Sequence, residues 1–239
     1  MTTFGFHDLI EACAEPGCPV CRLLRRDVRR QIDTLLYEFV LDQGAQRRFR
    51  AGRGLCGAHG ELLAEGRNAL GTAALQFAVI SDVLDALDSA VRERVPLHSA
   101  RFFKGSGGDA LATALDADLP CMVCAQRDQD ERRYAEIIAG GLGDARLLAA
   151  YRESDGLCLP HFRAVLQAVR GLSSHSGDAR SQAERVRAVV AIQRAIWERL
   201  KDELAEFMRK SDFHNAAETM GAEADSWRRA IALLSGRPI

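Results

Sequence analysis

The sequence predicts an all-α protein made of two tandem, metal-stabilised helical repeats, and three observations carry that expectation. Apolar residues recur at steps of three and four over long stretches, no strand-like alternation competes, and a set of cysteines and histidines occurs twice at matching spacing. Each repeat is expected to contain a helix opening at Cys-x-x-Cys, a short turn, a helix opening at Cys-x-x-His and a longer helix. The helices pack as a bundle, with one more helix at the C-terminus.

After Cys21 the residues Leu24, Val28, Ile32, Leu35, Leu36 and Phe39 form one apolar stripe, the mark of an amphipathic helix with one face turned inward. Residues 70–92 repeat the pattern through Leu75, Val79, Val83, Leu84, Leu87 and Val91. Residues 180–208 give a longer helix through Val186, Val189, Val190, Ile196, Leu200, Leu204 and Phe207. Between them, Pro96, the Gly-Ser-Gly-Gly run at 105–108 and Pro120 punctuate a connector. The expected division is therefore a first repeat over 1–95, a connector over 96–118, and a second repeat with the C-terminal helix over 119–239. All six prolines fall outside the periodic stretches, as helices require.

The chemistry lies in the doubled motifs. "GLCGAH" at 54–59 and "GLCLPH" at 156–161 share a Gly-Leu-Cys-x-x-His skeleton, and each follows a Cys-x-x-Cys pair, "CPVC" at 18–21 and "CMVC" at 121–124. The spacing is 35 residues from Cys21 to Cys56 and 34 from Cys124 to Cys158, so six of the seven cysteines fall into two matching sets, as a duplication would leave them. Zinc is satisfied by four tetrahedral sulfur and nitrogen ligands, and three cysteines with one histidine make a closed structural site. Read locally, one site is Cys18, Cys21, Cys56 and His59, and the other is Cys121, Cys124, Cys158 and His161, giving two zinc ions per chain. Each motif is expected at a helix N-terminus, where free N–H groups and the helix dipole favour thiolate. Pro19 and Pro160 suit the first helical turn. Iron–sulfur clusters, which accept an occasional histidine, are the alternative on spacing alone. A reversible dithiol at each Cys-x-x-Cys is a third reading, which leaves the Cys-x-x-His motifs without a role. Cys13 stands outside the sets and is expected to be a buried free thiol.

The closing stretch "FMRKSDFHNAAETMGAEADSWRRAIALLSGRP", taken with the doubled motifs, resembles an uncharacterised bacterial and archaeal family defined as a domain of unknown function. The resemblance runs from Cys18 to Gly236. It covers the four cysteine and histidine pairs and a closing segment with a basic pair, an aspartate and a tryptophan, matched here by Arg209, Lys210, Asp212 and Trp227. Ser211 and Phe213 stand where a basic residue and a tyrosine are expected. The resemblance implies a helical protein with two metal sites and supplies no activity.

Composition bounds the remaining readings. The 239 residues are 47% hydrophobic with a net charge of -1, which suits a globular chain and argues against bulk coating of nucleic acid. The start lacks a signal-peptide pattern and no uninterrupted apolar run approaches a membrane span, so a cytoplasmic protein without a membrane partner is expected. Catalytic zinc keeps a coordination position open, whereas each set here offers four protein ligands, which weighs against an enzyme. His7, His98, His175 and His214 lack partners at recognisable spacing, and an enzymatic site at Arg209, Lys210, Asp212 and Trp227 is the alternative. Partner binding or regulation is the favoured reading. Arg22, Arg25, Arg26, Arg29 and Arg30 repeat at helical spacing opposite the apolar stripe, and residues 22–53 hold nine basic and four acidic side chains. That face suits an acidic protein or anionic ligand; for RNA, exposed aromatics are wanting beyond Phe49.

Overall fold

The computed structural model describes residues 5–38, 42–94, 107–172, 179–215 and 217–236. Among these residues it is all helical: eleven α-helices, two short 3-10 helices at Phe213–Asn215 and Ala222–Asp225, and no strand. The α-helices are α1 (Phe6–Cys13), α2 (Pro19–Tyr37), α3 (Gln43–Ala51), α4 (Gly57–Glu65), α5 (Ala69–Arg94), α6 (Gly107–Leu115), α7 (Met122–Gly141), α8 (Ala145–Glu153), α9 (Leu159–Leu172), α10 (Ala179–Lys210) and α11 (Ser226–Ser235). The helices expected after Cys21, over 70–92, over 180–208 and near the C-terminus are α2, α5, α10 and α11.

Two helices occupy what the sequence suggested was only a turn. α3 and α8 sit between the Cys-x-x-Cys and Cys-x-x-His helices, each nine residues long and opened by an aspartate cap. Asp42 accepts from the Ala45 N–H at 2.7 Å and Asp144 from the Arg146 N–H at 2.8 Å. So short a helix shows too few periodic positions to stand out, although each buries an aromatic ring, Phe49 and Tyr151. α6 likewise lies inside the expected connector, opening at Gly107. The rest of that connector, 96–106 with Pro96, His98 and the first half of Gly-Ser-Gly-Gly, lies outside the described residues, as do Phe39 and His175.

The chain forms two compact units, Met1–Arg26 with Asp128–Ile239, and Asp27–Arg127. These are not the tandem stretches 1–95 and 119–239, because the chain leaves one unit within α2 and returns to it within α7. In the first unit Leu9, Val20 and Leu24 pack with Tyr134, Ala139, Leu157, Val165 and Val189. There α1 lies against α8, and α10 runs along α8, α9 and α11. In the second unit the buried residues include Val28, Ile32 and Leu36 of α2, Phe49 of α3, Leu63 of α4, and Leu75 and Val79 of α5. An Arg50–Asp82 ion pair joins α3 to α5. Asn68 caps α5, accepting from Gly71 N–H while donating to the Leu36 carbonyl, both at 2.8 Å.

α5 departs from expectation in which face it buries. Of its predicted stripe only Leu75 and Val79 are buried, while Leu84 is 56% exposed; the side chain of Val91 lies outside the described residues. Apolar residues cover more than one side of this helix, and periodicity alone does not say which side meets the core. The segment Ala69–Ser89 has a mean hydropathy of 1.4 and is long and apolar enough to cross a membrane.

Candidate metal centres

All four motifs adopt the same local structure. The first cysteine of each stands just before a helix, and its carbonyl accepts the first intrahelical bond: Arg22 N–H to Cys18 at 3.1 Å, Gly60 to Cys56 at 2.7 Å, Ala125 to Cys121 at 3.0 Å, and Phe162 to Cys158 at 2.8 Å. The second residue of each motif falls one turn in, on the same side, as three-residue spacing on a helix dictates. The glycines of the two Gly-Leu-Cys skeletons have a backbone role. Gly54 and Gly156 sit at φ +89° and +80°, a left-handed turn that delivers the chain into its cysteine and that a side chain disfavours.

The motifs converge in two clusters of four, but not in the pairs that chain proximity suggested. Cys18 and Cys21 meet Cys158 and His161 in the first unit, and Cys121 and Cys124 meet Cys56 and His59 in the second. The local pairing read from the sequence is therefore corrected: each Cys-x-x-Cys joins the Cys-x-x-His of the other half of the chain. α2, 19 residues long, carries the chain roughly 28 Å from its start. The Cys-x-x-His helix α4 accordingly ends beside the last turns of α2, where a side chain at Gly66 would meet Leu36. The wider separation costs little, since each doubling of a loop adds only about 0.6 kcal/mol of closure entropy.

Within each cluster the ligand atoms all lie within 4.8 Å of one another, so each could hold a metal ion. In the first, His161 Nδ1 lies 3.4 Å from the sulfurs of Cys18 and Cys21 and 3.1 Å from that of Cys158, and Cys21 and Cys158 Sγ are 3.7 Å apart. In the second, His59 Nδ1 lies 3.2, 3.6 and 3.3 Å from Cys56, Cys121 and Cys124, with Cys56 and Cys124 Sγ 3.6 Å apart. Backbone ties hold the halves together. Gly17 N–H donates to Asp155 at 2.7 Å beside the first cluster, and Leu119 N–H donates to the Ala51 carbonyl at 3.1 Å in the second unit.

The two clusters differ in enclosure. Cys21, Cys158 and His161 are buried and Cys18 half-buried, and the backbone turn at Gly236 closes against Cys21, Cys158 and Pro160. His59 is buried in the second cluster, but Cys56 is exposed and Cys121 and Cys124 are half-buried. In the metal-free first cluster, burial pushes the Cys18 thiol up, while hydrogen bonds from Cys158 and Cys18 hold Cys21 far below the usual thiol range. Burial disfavours a charged imidazole at His161, yet Cys158 and Cys21 carry its pKa up to about 10. In the second cluster, burial and Cys56 push Cys124 up to about 12.

A family model matches residues 3–238 of the chain. The chain belongs to DUF6062, a family of unknown function. No curated protein and no solved structure shows detectable similarity to this DUF6062 chain.

Other residues singled out from the sequence lie elsewhere. Arg209 pairs with Glu206 at 2.8 Å and Glu218 at 2.9 Å, and Lys210 pairs with Glu223 at 2.7 Å, so the basic pair ties the end of α10 to the segment that follows. Asp212 accepts from the His214 N–H at 2.9 Å, and Arg228 stacks 4.7 Å above the Trp227 ring. A cavity of about 370 Å³ beside Cys18 is lined by Asp155, Arg199, Glu203 and Arg229, but not by Asp212 or Trp227. Arg22 donates to the Pro16 carbonyl and Arg26 pairs with Asp8, both at 2.7 Å, whereas Arg25 is half-buried and Arg29 and Arg30 are exposed. Cys13 is a buried free thiol whose pKa burial raises to about 11.

Sequence reading missed two supporting residues. Glu131 Oε1 lies 3.5 Å from His161 Nε2, on the ring nitrogen that faces away from the sulfurs, the place from which a carboxylate orients a metal-binding imidazole. Gln193 of α10 is fully buried and its Oε1 accepts from Tyr151 Oη and from the Leu157 N–H, fixing the turn into Cys158. A glutamine in a periodic helix carries no signal of such a role.

Proposed function

We propose that the protein is an intracellular partner-binding or regulatory module in which each compact unit is closed by one structural zinc ion. The observation that carries this reading is the convergence of three sulfurs and one Nδ1 in each cluster. Zinc bonds of about 2.3 Å to sulfur and 2.0–2.1 Å to nitrogen make tetrahedron edges of about 3.8 Å between sulfurs and about 3.6 Å between sulfur and nitrogen. The spacings of 3.6–3.7 Å and 3.1–3.6 Å fit one ion at the centre of each cluster. In a four-iron cluster each ligand binds a different iron, which calls for ligands spread around a cube.

Four protein ligands leave no open position for water, which supports a structural role over a catalytic one. Structural zinc contributes on the order of 10 kcal/mol in small domains, as much as a whole domain's stability. Free thiols suit a reducing compartment. The exposed Arg29 and Arg30 are a surface for an acidic protein or another anionic ligand. Elemental analysis of protein purified without air should give two zinc ions per chain. Iron with acid-labile sulfide and a brown chromophore would overturn the zinc reading.

A further inference from the structure

The outward face of α5 carries a pattern that folding of the chain alone does not use. Leu70, Ala73, Phe77, Ile80, Leu84 and Leu87 occupy alternating steps of three and four over nearly three heptads, the spacing of a coiled-coil seam. Leu70, Phe77, Ile80 and Leu84 are 83%, 74%, 58% and 56% exposed. The opposite face is fixed in its unit by the burial of Leu75 and Val79 and by the Asp82–Arg50 ion pair, which leaves Leu70, Phe77, Ile80 and Leu84 uncovered, while Leu87 is half-buried and α6 packs against α5. We propose that α5 is a dimerisation helix, packing in antiparallel orientation against α5 of a second copy of the chain.

Area, charge and side-chain size select this occupant. With side chains of roughly 150–200 Å², the four exposed residues offer about 500 Å² per chain. A symmetric pair that covers all of it buries about 1,000 Å², the lower bound for a biological interface. The ionisable residues of α5 are Asp82, Asp85, Asp88, Arg92, Glu93 and Arg94, all in its C-terminal half, while Arg67 precedes its N-terminus. Asp88 lies 3.7 Å from Arg92 of its own helix, an exposed pair, and antiparallel packing also brings it to Arg67 of the other copy, near the positive end of the helix dipole, twice by symmetry. The layers also complement one another, Phe77 meeting Ile80 of the second copy, Leu70 meeting Leu87, and Ala73 meeting Leu84. A membrane suits this helix less well, because interfacial helices set a surplus of Lys and Arg against anionic lipid, and α5 carries Asp82, Asp85, Asp88 and Glu93 against Arg92 and Arg94.

The test uses the full-length, metal-loaded protein in sedimentation equilibrium. Wild type should have twice the chain mass of 26.2 kDa, and Phe77→Asp should have once that mass with unchanged helicity and metal content. Arg67→Asp and Asp88→Arg should each shift the protein toward monomer, and the two together should restore the dimer. A monomeric wild type at tens of micromolar, a dimer indifferent to Phe77→Asp, or a double charge reversal no better than its parents would overturn the proposal. So would co-sedimentation of a monomeric wild type with phosphatidylserine vesicles that Phe77→Asp abolishes.

Discussion

Gly17 and Asp155 stand 138 positions apart and are joined by one hydrogen bond of 2.7 Å, from the Gly17 N–H to the Asp155 carboxylate. The bond sits one residue before Cys18 and three before Cys158, so it holds together the two segments that supply the first cluster without being a ligand. Asp155→Ala should cost about 1–2 kcal/mol. It should also speed metal loss from the first cluster and leave the second alone. Metal-release kinetics and denaturation midpoints identical to wild type would refute this bracing role.

The glycines of the two Gly-Leu-Cys skeletons should not be equally replaceable. Both have positive φ, so alanine at either incurs roughly 1–2 kcal/mol of backbone strain. At Gly156 an added Cβ would also meet Gln193 Nε2 at 2.8 Å and Ile196 at 3.1 Å, whereas at Gly54 the nearest atom is 3.7 Å away. Gly156→Ala should therefore destabilise more than Gly54→Ala in urea unfolding; the reverse order would contradict the packing described around Gln193.

Enclosure sets the order of metal loss. Cys56 is exposed, while Cys158 is fully buried beneath the turn at Gly236. Excess chelator should release metal in two phases of equal amplitude, the fast one from the second cluster. Cys56→Ser should abolish the fast phase and Cys158→Ser the slow one. A single phase in wild type would count against the difference in access.

The sign of the pH dependence follows from His161. Its imidazole, at about 10 in the metal-free cluster against an ordinary 6.5, contributes stability that is full below pH 6.5 and is lost as pH rises through about 10. Metal requires the neutral ring and deprotonated thiols, so affinity runs the other way and rises with pH. Competition titrations from pH 6.5 upward should show tighter binding and proton release on loading. Affinity that is flat or falls with pH would exclude His161 as a ligand.

How far this structure was legible in the sequence depends on the range of each signal. Long helices with buried stripes, such as α2 with Val28 and Ile32, declare themselves by local periodicity, and the eight metal-binding candidates by a doubled spacing. The pairing of Cys18 with Cys158 is a property of tertiary packing, and matching spacings of 34 and 35 residues made the local alternative look complete. α5 misled for a related reason. Leu84 has the same spacing as a core residue, and a seam built for a partner obeys the periodicity of a seam built for a core. Glu131 and Gln193 act through single contacts with residues distant in sequence, which no local pattern records.

The crossed pairing is the central claim, and metal stoichiometry in two double variants tests it most directly, whichever metal is bound. Cys21→Ser with Cys158→Ser damages one cluster in the crossed arrangement, so one of two metals should remain tightly held. Cys21→Ser with Cys56→Ser damages both clusters, so neither site should retain its metal. The opposite result, both metals lost in the first variant and one kept in the second, would contradict the structure and restore the local pairing of each Cys-x-x-Cys with the Cys-x-x-His that follows it.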